Sequence, residues 1–451
     1  MTTQGSPSKP HIVIVGCGFG GLEAARALQD KDVDITVIEK TNHHLFQPLL
    51  YQVATAGLAA PSIAAPVRTL FRNQQNITTL MAEVSGFSPD TREVLLSDGH
   101  RVAYDHLLVA AGSTHSYFGN DHWAANAPGL KTLADAFNVR GKVLLSFEAA
   151  ELERDPELRR GMLTFCVIGA GPTGVEMAGT LAEIARHTLS GEYRRFNPAE
   201  SRVLLIEGGS RVLQAMPENL SHKALQQLEK LGVEVHLDTR VTAIDATGLN
   251  VQTGTAADGT PIVERIESRC VVWAAGVTGS PLGRILGETV GIDCDRAGRL
   301  PVEPDLSLAG HPEISVVGDL AAAMSHAKGK APTPVPGVSP GAKQMGRTAA
   351  ANILRRIEGK PTQAFHYADY GNLATIGRNA AVVDLGTPFG PLRFSGAPAW
   401  WFWLLAHAYF LIGFRNRLVV LMDWASVYRT YHRGARVVPE TGPESVPKPE
   451  T

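Results

Sequence analysis

The sequence predicts an α/β chain that carries the same β-α-β unit twice. The first copy, HIVIVGCGFGGLEAARALQD, is a β-branched run, a glycine turn and an Ala/Leu-rich helical pattern, followed by a second strand, DITVIEK. The second copy is MLTFCVIGAGPTGVEMAGTLAEIA, with RVLLIEGG as its next strand. The repetition indicates an internal duplication, and 451 residues leave room for two or three domains.

The composition excludes several classes of protein. A net charge of -2 gives no whole-chain reason to expect a nucleic acid partner. The four cysteines are far apart and form no cluster with metal-ligand spacing, so no metal site is expected. The polar N-terminal segment MTTQGSPSKP is expected to be flexible and lacks the apolar core of a secretory signal, which favours a cytosolic, reducing setting.

The glycine turn of the first unit has the spacing of a nucleotide-binding loop. Gly16 allows the sharp turn, Gly18 lets the backbone approach a pyrophosphate, and Gly21 lets the helix pack on the strand. Glu39 ends the next strand, where a carboxylate can accept hydrogen bonds from ribose hydroxyls. A tight packing turn without a ligand is the alternative.

The second unit repeats this arrangement with Gly169, Gly171 and Gly174, and Glu207 closes its second strand. A carboxylate at this position would repel a 2'-phosphate, so NADH is favoured over NADPH. Arg211 lies close enough in sequence to temper that preference.

Two further segments are expected to contribute to the sheets: residues 76–111 and the segment that ends at Asp319. Residues 76–111 alternate apolar and polar residues around turn signals, which predicts a small antiparallel meander, and a similar set follows the second unit. Asp319 follows an apolar strand and Gly318, so it is expected at the carboxyl end of a strand, where ligands of such sheets bind. Capping of a helix DLAAAM by Asp319 is the alternative.

These motifs resemble the two-dinucleotide-domain flavoproteins of the glutathione-reductase type. The resemblance rests on VIVGCGFGGLEAA, on VAAG at 109–112, on WAAG at 273–276 and on ISVVGD ending at Asp319. It implies that the first unit holds non-covalent FAD and the second holds NADH as substrate. The implied FAD residues are Gly16, Gly18, Gly21, Glu39, Gly112 and Asp319, the last on the flavin ribityl chain. The implied NADH residues are Gly169, Gly171, Gly174, Glu207 and Gly276.

The cysteine content limits which class of electron acceptor the protein can use. Disulfide reductases need a cysteine pair beside the flavin, and sulfide:quinone oxidoreductases also use cysteines, one of them late in the chain. The last cysteine here is Cys294, and no pair is present. Hydride transfer from NADH to flavin, followed by electron delivery to a non-thiol acceptor, is what remains.

Three segments are similar to one family, the type II NADH:quinone oxidoreductases. They are HHLFQPLLYQVATAGL at 43–58, PGVSPGAKQMG at 336–346 and LIGFRNRLVVLMDWASVYRTYHRGAR at 411–436. The likeness covers nearly the whole chain. It implies two-electron reduction of a membrane quinone by NADH through FAD, without proton pumping.

The quinone-site segment departs from the family pattern. Many members have Ala-Gln-x-Ala-x-Gln-Gln-Gly, whereas this chain has SPGAKQMG at 339–346, which keeps only the first of the later glutamines as Gln344. The resemblance implies quinone contacts from Pro340, Lys343 and Gln344, with Lys343 able to offer a cation to reduced flavin or quinone. Alternatively, this helix start only packs on FAD.

Glu176 matches a family glutamate near the nicotinamide. A shielded carboxyl there is expected to have a raised pKa and to supply protons to the quinone. The alternative is a structural role for Glu176, in which it holds the second glycine turn or the nicotinamide amide. Glu176 and Gln344 are therefore the candidate catalytic residues.

The C-terminal region is rich in tryptophan and arginine. The apolar run at 399–414 is shorter than the roughly 20 residues that span a bilayer. Residues 418–433 have an amphipathic helical pattern, and five arginines against Asp423 give 413–436 a net charge of +4. This pattern is typical of interfacial helices on anionic phospholipid. A core helix pair or the seam of a homodimer is the alternative.

The resulting hypothesis is a peripheral, monotopic NADH:quinone oxidoreductase on the cytoplasmic face of the inner or plasma membrane. The predicted domains are 9–115 with 280–395 for FAD, 116–279 for NADH, and 396–451 for membrane association. The alternatives are a soluble NADH-dependent reductase of a small electron carrier and a flavoprotein whose main role is binding or signalling.

Overall fold

The computed structural model describes residues 9–387 and 390–438. Its strands are β1 His11–Val15, β2 Asp34–Glu39, β3 His43–Leu45, β4 Ala64–Pro66, β5 Ile77–Met81, β6 Val84–Ser88, β7 Glu93–Leu96, β8 Arg101–Ala103, β9 His106–Val109, β10 Ser113–His115, β11 Thr164–Ile168, β12 Arg202–Ile206, β13 Val233–His236, β14 Arg240–Ile244, β15 Gly248–Thr255, β16 Pro261–Glu267, β17 Cys270–Trp273, β18 Val277–Gly279, β19 Leu300–Pro301, β20 Ser307–Leu308, β21 His311–Val316, β22 Ala321–Ala322, β23 Met324–Ser325, β24 Thr333–Pro334, β25 Asn372–Gly377, β26 Ala380–Thr387 and β27 Gly390–Ser395.

The α-helices are α1 Phe19–Ala27, α2 Leu50–Ala54, α3 Ala60–Ile63, α4 Val67–Leu70, α5 Leu133–Leu152, α6 Pro156–Met162, α7 Pro172–Glu183, α8 Glu218–Lys230, α9 Pro281–Val290, α10 Ser339–Ile357, α11 Ala397–Phe410 and α12 Phe414–Thr430. A short π-helix, Ile184–Thr188, continues α7. The chain divides into two compact units: a first unit of residues 9–45, 65–114 and 277–369, and a second unit of residues 46–64, 115–276 and 370–438.

The first unit is built on a six-stranded sheet in the order β20-β21-β9-β1-β2-β5. Its strands are parallel except for the edge pair of β20 and β21. Because helices cover a parallel sheet, its central strands read as nearly continuous apolar runs, and Ile12, Val13 and Ile14 of β1 are fully buried. α1 and α10 pack together in this unit.

The second unit contains a smaller parallel sheet in the order β13-β12-β11-β17. The strand β11 is buried at every position, and α7 follows it across a glycine turn. An antiparallel sheet of β14, β15 and β16 lies in the same unit. Each unit therefore contains one copy of the β-α-β arrangement, as the sequence predicts.

The predicted meanders are only partly correct. In residues 76–111, β6, β7 and β8 form an antiparallel sheet, but β5 and β9 join the parallel sheet on either side of β1 and β2. The corresponding set in the second unit behaves in the same way, since β13 and β17 are parallel strands. Apolar alternation alone does not distinguish an excursion from a strand that returns to the main sheet.

The bounds of the compact units differ from the predicted domain bounds. The sequence predicts residues 370–395 in the FAD-binding domain, whereas β25, β26 and β27 lie in the second unit, where β25 packs against α7 and β26 against α8 and α11. Apolar side chains of β25 and β26 are buried by those contacts. Of the predicted flexible N-terminal segment, residues 1–8 lie outside the described residues, as do 388–389 and 439–451 of the predicted domains.

Candidate active site

The three glycines of the first turn have the geometry that their spacing predicts. Gly16 has a φ of 93°, a left-handed conformation, and a Cβ there would overlap the Ala110 carbonyl. A Cβ on Gly21 would overlap the carbonyl oxygen of Gly16 where the helix meets the strand. Beside Gly18, by contrast, the described residues other than its chain neighbours place no atom within 4 Å of where a Cβ would stand. The turn therefore leaves an open cradle at the N-terminus of α1.

Glu39 holds this turn in shape. Its Oε2 accepts a hydrogen bond from the Cys17 N–H at 2.6 Å, and its Oε1 accepts one from the Thr41 N–H at 3.0 Å. On the other side of the turn, the His44 Nδ1–H donates to the Cys17 carbonyl at 2.7 Å. Burial lowers the pKa of His44 to about 4, so its ring is neutral at physiological pH. No sequence signal separates His44 from the rest of its loop.

Asp319 lies at the carboxyl end of β21, as predicted. Its Oδ2 accepts a hydrogen bond from the Ser113 Oγ at 2.8 Å. Gly112, just before Ser113, has a φ of 66°, and apart from its chain neighbours no atom of residues 9–387 and 390–438 lies within 4 Å of the place that a Cβ would occupy there. The alternative of a helix DLAAAM is wrong, because residues Gly318–Leu320 form one 3-10 turn and the chain then continues as β22.

The segment expected at the quinone site begins α10, with Pro340 in its first turn. Both ends of the Gln344 amide are paired with the backbone of Ala368, since Nε2 donates to its carbonyl at 2.9 Å and Oε1 accepts from its N–H at 2.8 Å. The ammonium of Lys343 lies 5.2 Å from the ring centre of Phe19, and burial lowers the pKa of Lys343. The Gln344 amide therefore supports the loop that contains Ala368. The Lys343 ammonium is a partly buried cation beside Phe19.

The second glycine turn reproduces the first. Gly169 has a φ of 97°, a Cβ on Gly174 would overlap the Gly169 carbonyl oxygen, and Gly171 faces open space. Glu207 corresponds to Glu39, because its Oε2 accepts a hydrogen bond from the Ala170 N–H at 2.7 Å. The structural repeat thus extends to individual hydrogen bonds.

A cavity of about 280 Å³ lies beside this second turn and is lined in part by Gly171, Glu207 and Gln214. Arg211 closely follows Glu207 in sequence. Its guanidinium donates to the carbonyls of Met216 and Gln214 at 3.0 and 2.9 Å. Those bonds use two of the five N–H groups of the guanidinium and fix its position.

Gly276 lies beyond the end of β17, directly before β18. A Cβ there would stand 2.7 Å from the ring of Phe118, so that ring would have to shift to admit a side chain. Phe118 itself is 67% exposed. The structure therefore shows Gly276 in a packing role. The sequence resemblance implies that Gly276 also contributes to nucleotide binding.

Glu176 lies on α7 and is buried. Burial raises the pKa of its carboxyl to about 8. Two groups act in the opposite direction: the Thr375 N–H, which donates to Oε1 at a long 3.4 Å, and the indole N–H of Trp403, which lies near the carboxyl without a close hydrogen bond. The expected direction of the pKa shift is present, and a neutral carboxyl at pH 7 can act as a proton donor.

A second cavity, of about 90 Å³, lies within the second unit. Two of its lining residues, Thr375 and Trp403, lower the pKa of the Glu176 carboxyl. A third, Tyr51, has its own pKa raised by the charge of that carboxyl. Tyr51 and Trp403 are not predicted from the sequence, because they come from α2 and α11, which are remote in sequence from α7.

The two C-terminal helices expose a row of large apolar side chains, which we call the apolar face. Its members are Trp401, Leu405, Tyr409 and Phe410 of α11 and Phe414, Leu418, Leu421 and Met422 of α12. Most of them recur three or four residues apart, so they share one side of each helix. An exposed patch of this kind usually marks an interaction surface.

The arginines behind the apolar face are not all available to a partner. Arg433 is buried in an ion pair with Glu183, and Arg436 pairs with Glu192. Arg415 and Arg429 are exposed. The net charge of +4 counted from sequence therefore overstates the positive surface that a lipid headgroup would meet.

Within residues 9–387 and 390–438, no helix is both long and apolar enough to cross a membrane. The same residues contain no group of three or more His, Cys, Asp or Glu side chains placed to hold a metal ion.

Comparison with known families places the chain in a class. Residues 10–346 match the family described as pyridine nucleotide-disulphide oxidoreductase, and residues 370–429 match the family described as NDH2 C-terminal domain. The first match covers more than half of the chain, and it includes both glycine turns, so the chain is a pyridine nucleotide-dependent flavoprotein of this class.

Individual relatives indicate which family within this class the chain belongs to. Two proteins of Mycobacterium tuberculosis, type II NADH:quinone oxidoreductases Ndh and NdhA, are each 44% identical to it, over 96% and 97% of this chain and 91% and 92% of their own lengths. The solved structure of NDH2 from Plasmodium falciparum in complex with NADH matches in fold with a TM-score of 0.83 at 20% identity, covering 95% of this chain and 99% of that one. The chain belongs to the type II NADH:quinone oxidoreductase family.

Proposed function

We propose that this chain oxidises NADH through FAD and reduces a quinone by two electrons, without pumping protons, while it lies on a membrane surface. Its membership of the type II NADH:quinone oxidoreductase family supports the reaction. The observation that carries the proposal within the structure is the pair of matching glycine turns, each with an open cradle at a helix N-terminus and a carboxylate at the next strand.

The first unit fits a dinucleotide such as FAD. The open positions at Gly18 and Gly112, where no described residue beyond the chain neighbours would contact an added Cβ, leave room for backbone contact with a ligand. Gly16 and Gly21 shape the turn, Glu39 lies where a ribose would bind, and Asp319 supplies a carboxylate at a strand end. When bound, FAD accepts a hydride from NADH and passes two electrons to the quinone.

The second unit is proposed to bind NADH at the cavity beside Gly171. Gly169 and Gly174 shape the turn, and Gly276 follows the adjacent strand β17. Glu207 would accept hydrogen bonds from the adenosine ribose and repel a 2'-phosphate, and the guanidinium of Arg211 is already engaged by two carbonyls. The Glu207 carboxylate therefore favours NADH over NADPH.

Glu176 is proposed to supply protons to the quinone. Quinone reduction to the quinol takes up two protons with the two electrons, and a buried carboxyl with a pKa of about 8 holds a proton at neutral pH. It can release this proton and regain one from water. The cavity of about 90 Å³ in the same unit is lined by aromatic side chains and by Thr375, whose N–H donates to this carboxyl.

The start of α10 is proposed to contribute to quinone binding through Pro340, Lys343 and Gln344. Lys343 provides a partly desolvated cation that can stabilise negative charge on a reduced ring. The pairing of Gln344 with Ala368 supports an indirect contribution, in which Gln344 fixes the loop beside the helix start.

The apolar face is proposed to bind the membrane on its cytoplasmic side, with Arg415 and Arg429 beside anionic headgroups. Aromatic and aliphatic side chains of α11 and α12 would enter the headgroup boundary, as interfacial helices do. A lipid-soluble quinone could then reach the protein from the bilayer.

The reaction is tested with the purified full-length holoenzyme. We expect NADH oxidation to depend on a short-chain quinone and NADPH to be a much poorer donor. Efficient reduction of a soluble one-electron carrier without any quinone-dependent rate would instead favour a soluble reductase. Flavin that stays oxidised under anaerobic NADH would contradict the enzymatic role altogether.

A further inference from the structure

The guanidinium of Arg378 packs against two tyrosine rings at the end of α12. Arg378 and Asn379 form the turn that joins β25 to β26, whereas Tyr428 lies in the last turn of α12 and Tyr431 directly follows that helix. The guanidinium carbon of Arg378 is 4.1 Å from the ring centre of each tyrosine. The phenol of Tyr428 also donates to the side-chain oxygen of Asn379 at 3.2 Å. The end of α12 therefore fixes this cation in place.

Tyr431 has an unusual backbone conformation at this contact. Its φ is 58°, a left-handed value that residues with a bulky side chain rarely adopt. Glycine is the usual residue at such a helix end, because it has no Cβ. The ring of Tyr431 also packs against His187, with 4.6 Å between the ring centres. Strained residues of this kind persist where their surroundings hold them, and they cluster at binding sites.

The ring contacts leave the N–H groups of Arg378 available to a ligand. A guanidinium stacks through its planar face, whereas its five N–H donors point outward in that plane. Among residues 9–387 and 390–438, no oxygen accepts a hydrogen bond from these donors and no carboxylate pairs with them. Arg378 is partly exposed, so an anion can reach it from outside.

The carboxylate that shares a cavity with Arg378 is already balanced by another arginine. Glu183 accepts from the backbone N–H of Arg378 at 2.5 Å through Oε1, and its Oε2 forms the ion pair with Arg433 at 3.3 Å. The residues that line this cavity include two arginines and one glutamate, which leaves a net charge of +1. The guanidinium of Arg378 supplies this unbalanced charge.

The cation lies at one end of the apolar face. The ring centre of Tyr428 is 5.3 Å from that of Trp400 and 6.4 Å from that of Trp401, a member of the apolar face that is 52% exposed. Tyr428 follows Leu421 by seven residues, so both lie on one side of α12. The next residue, Arg429, is exposed. A molecule with an anionic head and an apolar tail can therefore contact the cation and the apolar face together.

We propose that Arg378 binds the phosphate diester of an anionic phospholipid whose acyl chains lie along the apolar face. The planar fork of a guanidinium matches two phosphate oxygens, and tyrosine and tryptophan favour the headgroup level of a membrane. The proposal rests on the membrane binding proposed above and adds a defined headgroup site to it. The site combines a residue of the β25–β26 turn with two tyrosines from the end of the chain, so it differs from a general attraction of tail arginines to the membrane.

The test measures binding of the full-length holoenzyme to phosphatidylcholine vesicles with and without phosphatidylglycerol. Arg378→Gln removes the cation, and Arg378→Lys keeps a charge but lacks the planar fork. Arg154→Gln is the matched control, because it removes the same charge from an exposed position between α5 and α6 that is not part of the apolar face. Hydrogen exchange of the α12 amides, measured without lipid, reports whether each variant keeps this helix in place.

A second measurement does not need a membrane surface. Calorimetric titration with short-chain phosphatidylglycerol, below the concentration at which it forms micelles, measures binding of the headgroup alone. The same titration with inorganic phosphate distinguishes a phospholipid site from a site for a soluble anion.

We expect Arg378→Gln to lower the affinity for vesicles that contain phosphatidylglycerol by roughly tenfold, and Arg378→Lys to lower it by roughly threefold. The control should change it by less than about twofold, since a single exposed charge contributes little. Short-chain phosphatidylglycerol should bind the unchanged protein more tightly than inorganic phosphate does, and Arg378→Gln should weaken that binding by a similar factor. If Arg378→Gln also speeds exchange in α12, the comparison of Arg378→Lys with the unchanged protein decides.

Three results would overturn the headgroup site. They are an unchanged affinity for anionic vesicles in both Arg378 variants, an equal loss in Arg154→Gln, and binding of inorganic phosphate as tight as that of the short-chain lipid. In each case, vesicle binding that depends on the apolar face would still support the membrane proposal. Conversely, a protein that binds the short-chain lipid through Arg378 but binds no vesicles would retain the headgroup site and reject the membrane proposal.

Discussion

The guanidinium of Arg433 and the carboxylate of Glu183 form an ion pair, with 3.3 Å between Nη2 and Oε2, and their side chains are only 6% and 12% exposed. Arg433 follows α12 in sequence, whereas Glu183 ends α7, so the pair ties the C-terminal tail to the helix that carries Glu176. The same guanidinium also lies near Thr55, beyond α2. The tail is therefore an integral part of the second unit.

Substitution of Arg433 by Met is predicted to loosen the C-terminal helices. It leaves the Glu183 carboxylate buried without its partner, which typically costs about 3–5 kcal/mol. Hydrogen exchange of the α12 amides measures the loss as a lower free energy of local opening. Arg436→Met is the control, since its partner Glu192 is 44% exposed and such pairs contribute about 1 kcal/mol or less. Equal effects of the two substitutions would show that the Arg433 pair has no special role.

The open glycines of the two turns are predicted to separate the two nucleotides. Gly18→Ala and Gly171→Ala each add a methyl group where, in the part of the chain that the structure describes, no atom beyond the chain neighbours lies within 4 Å, so both variants should fold. At Gly18 the methyl would meet a bound dinucleotide of the first unit and lower the flavin content of the purified protein. At Gly171 it should leave the flavin content unchanged and raise the KM for NADH by roughly tenfold or more.

The reverse pattern would exchange the two assignments. A protein in which Gly171→Ala loses flavin and Gly18→Ala changes only the KM for NADH would place FAD in the second unit. Gly21→Ala and Gly174→Ala serve as contrasts, because a Cβ at either position overlaps a backbone carbonyl and should impair folding of its turn.

The sequence predicts the glycine turns well because their roles depend on local geometry. The left-handed φ of Gly16 and Gly169 and the tight helix packing at Gly21 and Gly174 follow from spacing along one β-α-β unit. Contacts between remote segments could not be predicted in this way. Thr375 donates to Glu176, and Trp424 donates to Gln52 across 372 positions, only after the chain has folded.

Gln344 shows a second limit of inference from sequence. Its place in the family-like segment indicates a ligand contact, but an amide can equally be satisfied by backbone. Here Ala368 pairs with both ends of it. Likewise, a count of arginines in the tail could not reveal that Arg433 faces inward, because the amphipathic pattern places it on a polar stripe without saying what that stripe meets.

Charges placed on the apolar face are predicted to weaken membrane binding. Leu405→Glu and Leu418→Glu each remove an exposed leucine from the bilayer boundary and put an anion near anionic headgroups. Burial of a leucine side chain is worth about 1.5–3 kcal/mol, so each change should lower the affinity for vesicles of anionic and neutral phospholipid by roughly tenfold or more. Cosedimentation with the vesicles measures the bound fraction.

Leu152→Glu is the matched control for this experiment. Leu152 is 72% exposed at the end of α5, outside the apolar face, and its substitution should leave vesicle binding unchanged. All variants should keep their rate with a short-chain quinone in detergent, because that substrate does not need to be drawn from a bilayer. An equal loss of binding in the control would point to general charge repulsion and away from the apolar face.

The stability of the protein is predicted to fall between about pH 5 and pH 8 because of Glu176. Burial raises the folded-state pKa of this carboxyl from 4.5 to about 8. Within that window the folded state binds a proton that the unfolded state has released, so the free energy of unfolding decreases as pH rises and becomes level above about pH 8. Glu176→Gln removes this titration, while the titrations of His44 and His407 are shared by both proteins and cancel in the comparison. Thermal unfolding of the two holoenzymes across pH 5–9 should show the wild-type midpoint declining relative to the variant. Parallel curves would mean that Glu176 ionises normally in the folded protein, and its proposed role as a proton donor at neutral pH would then fail.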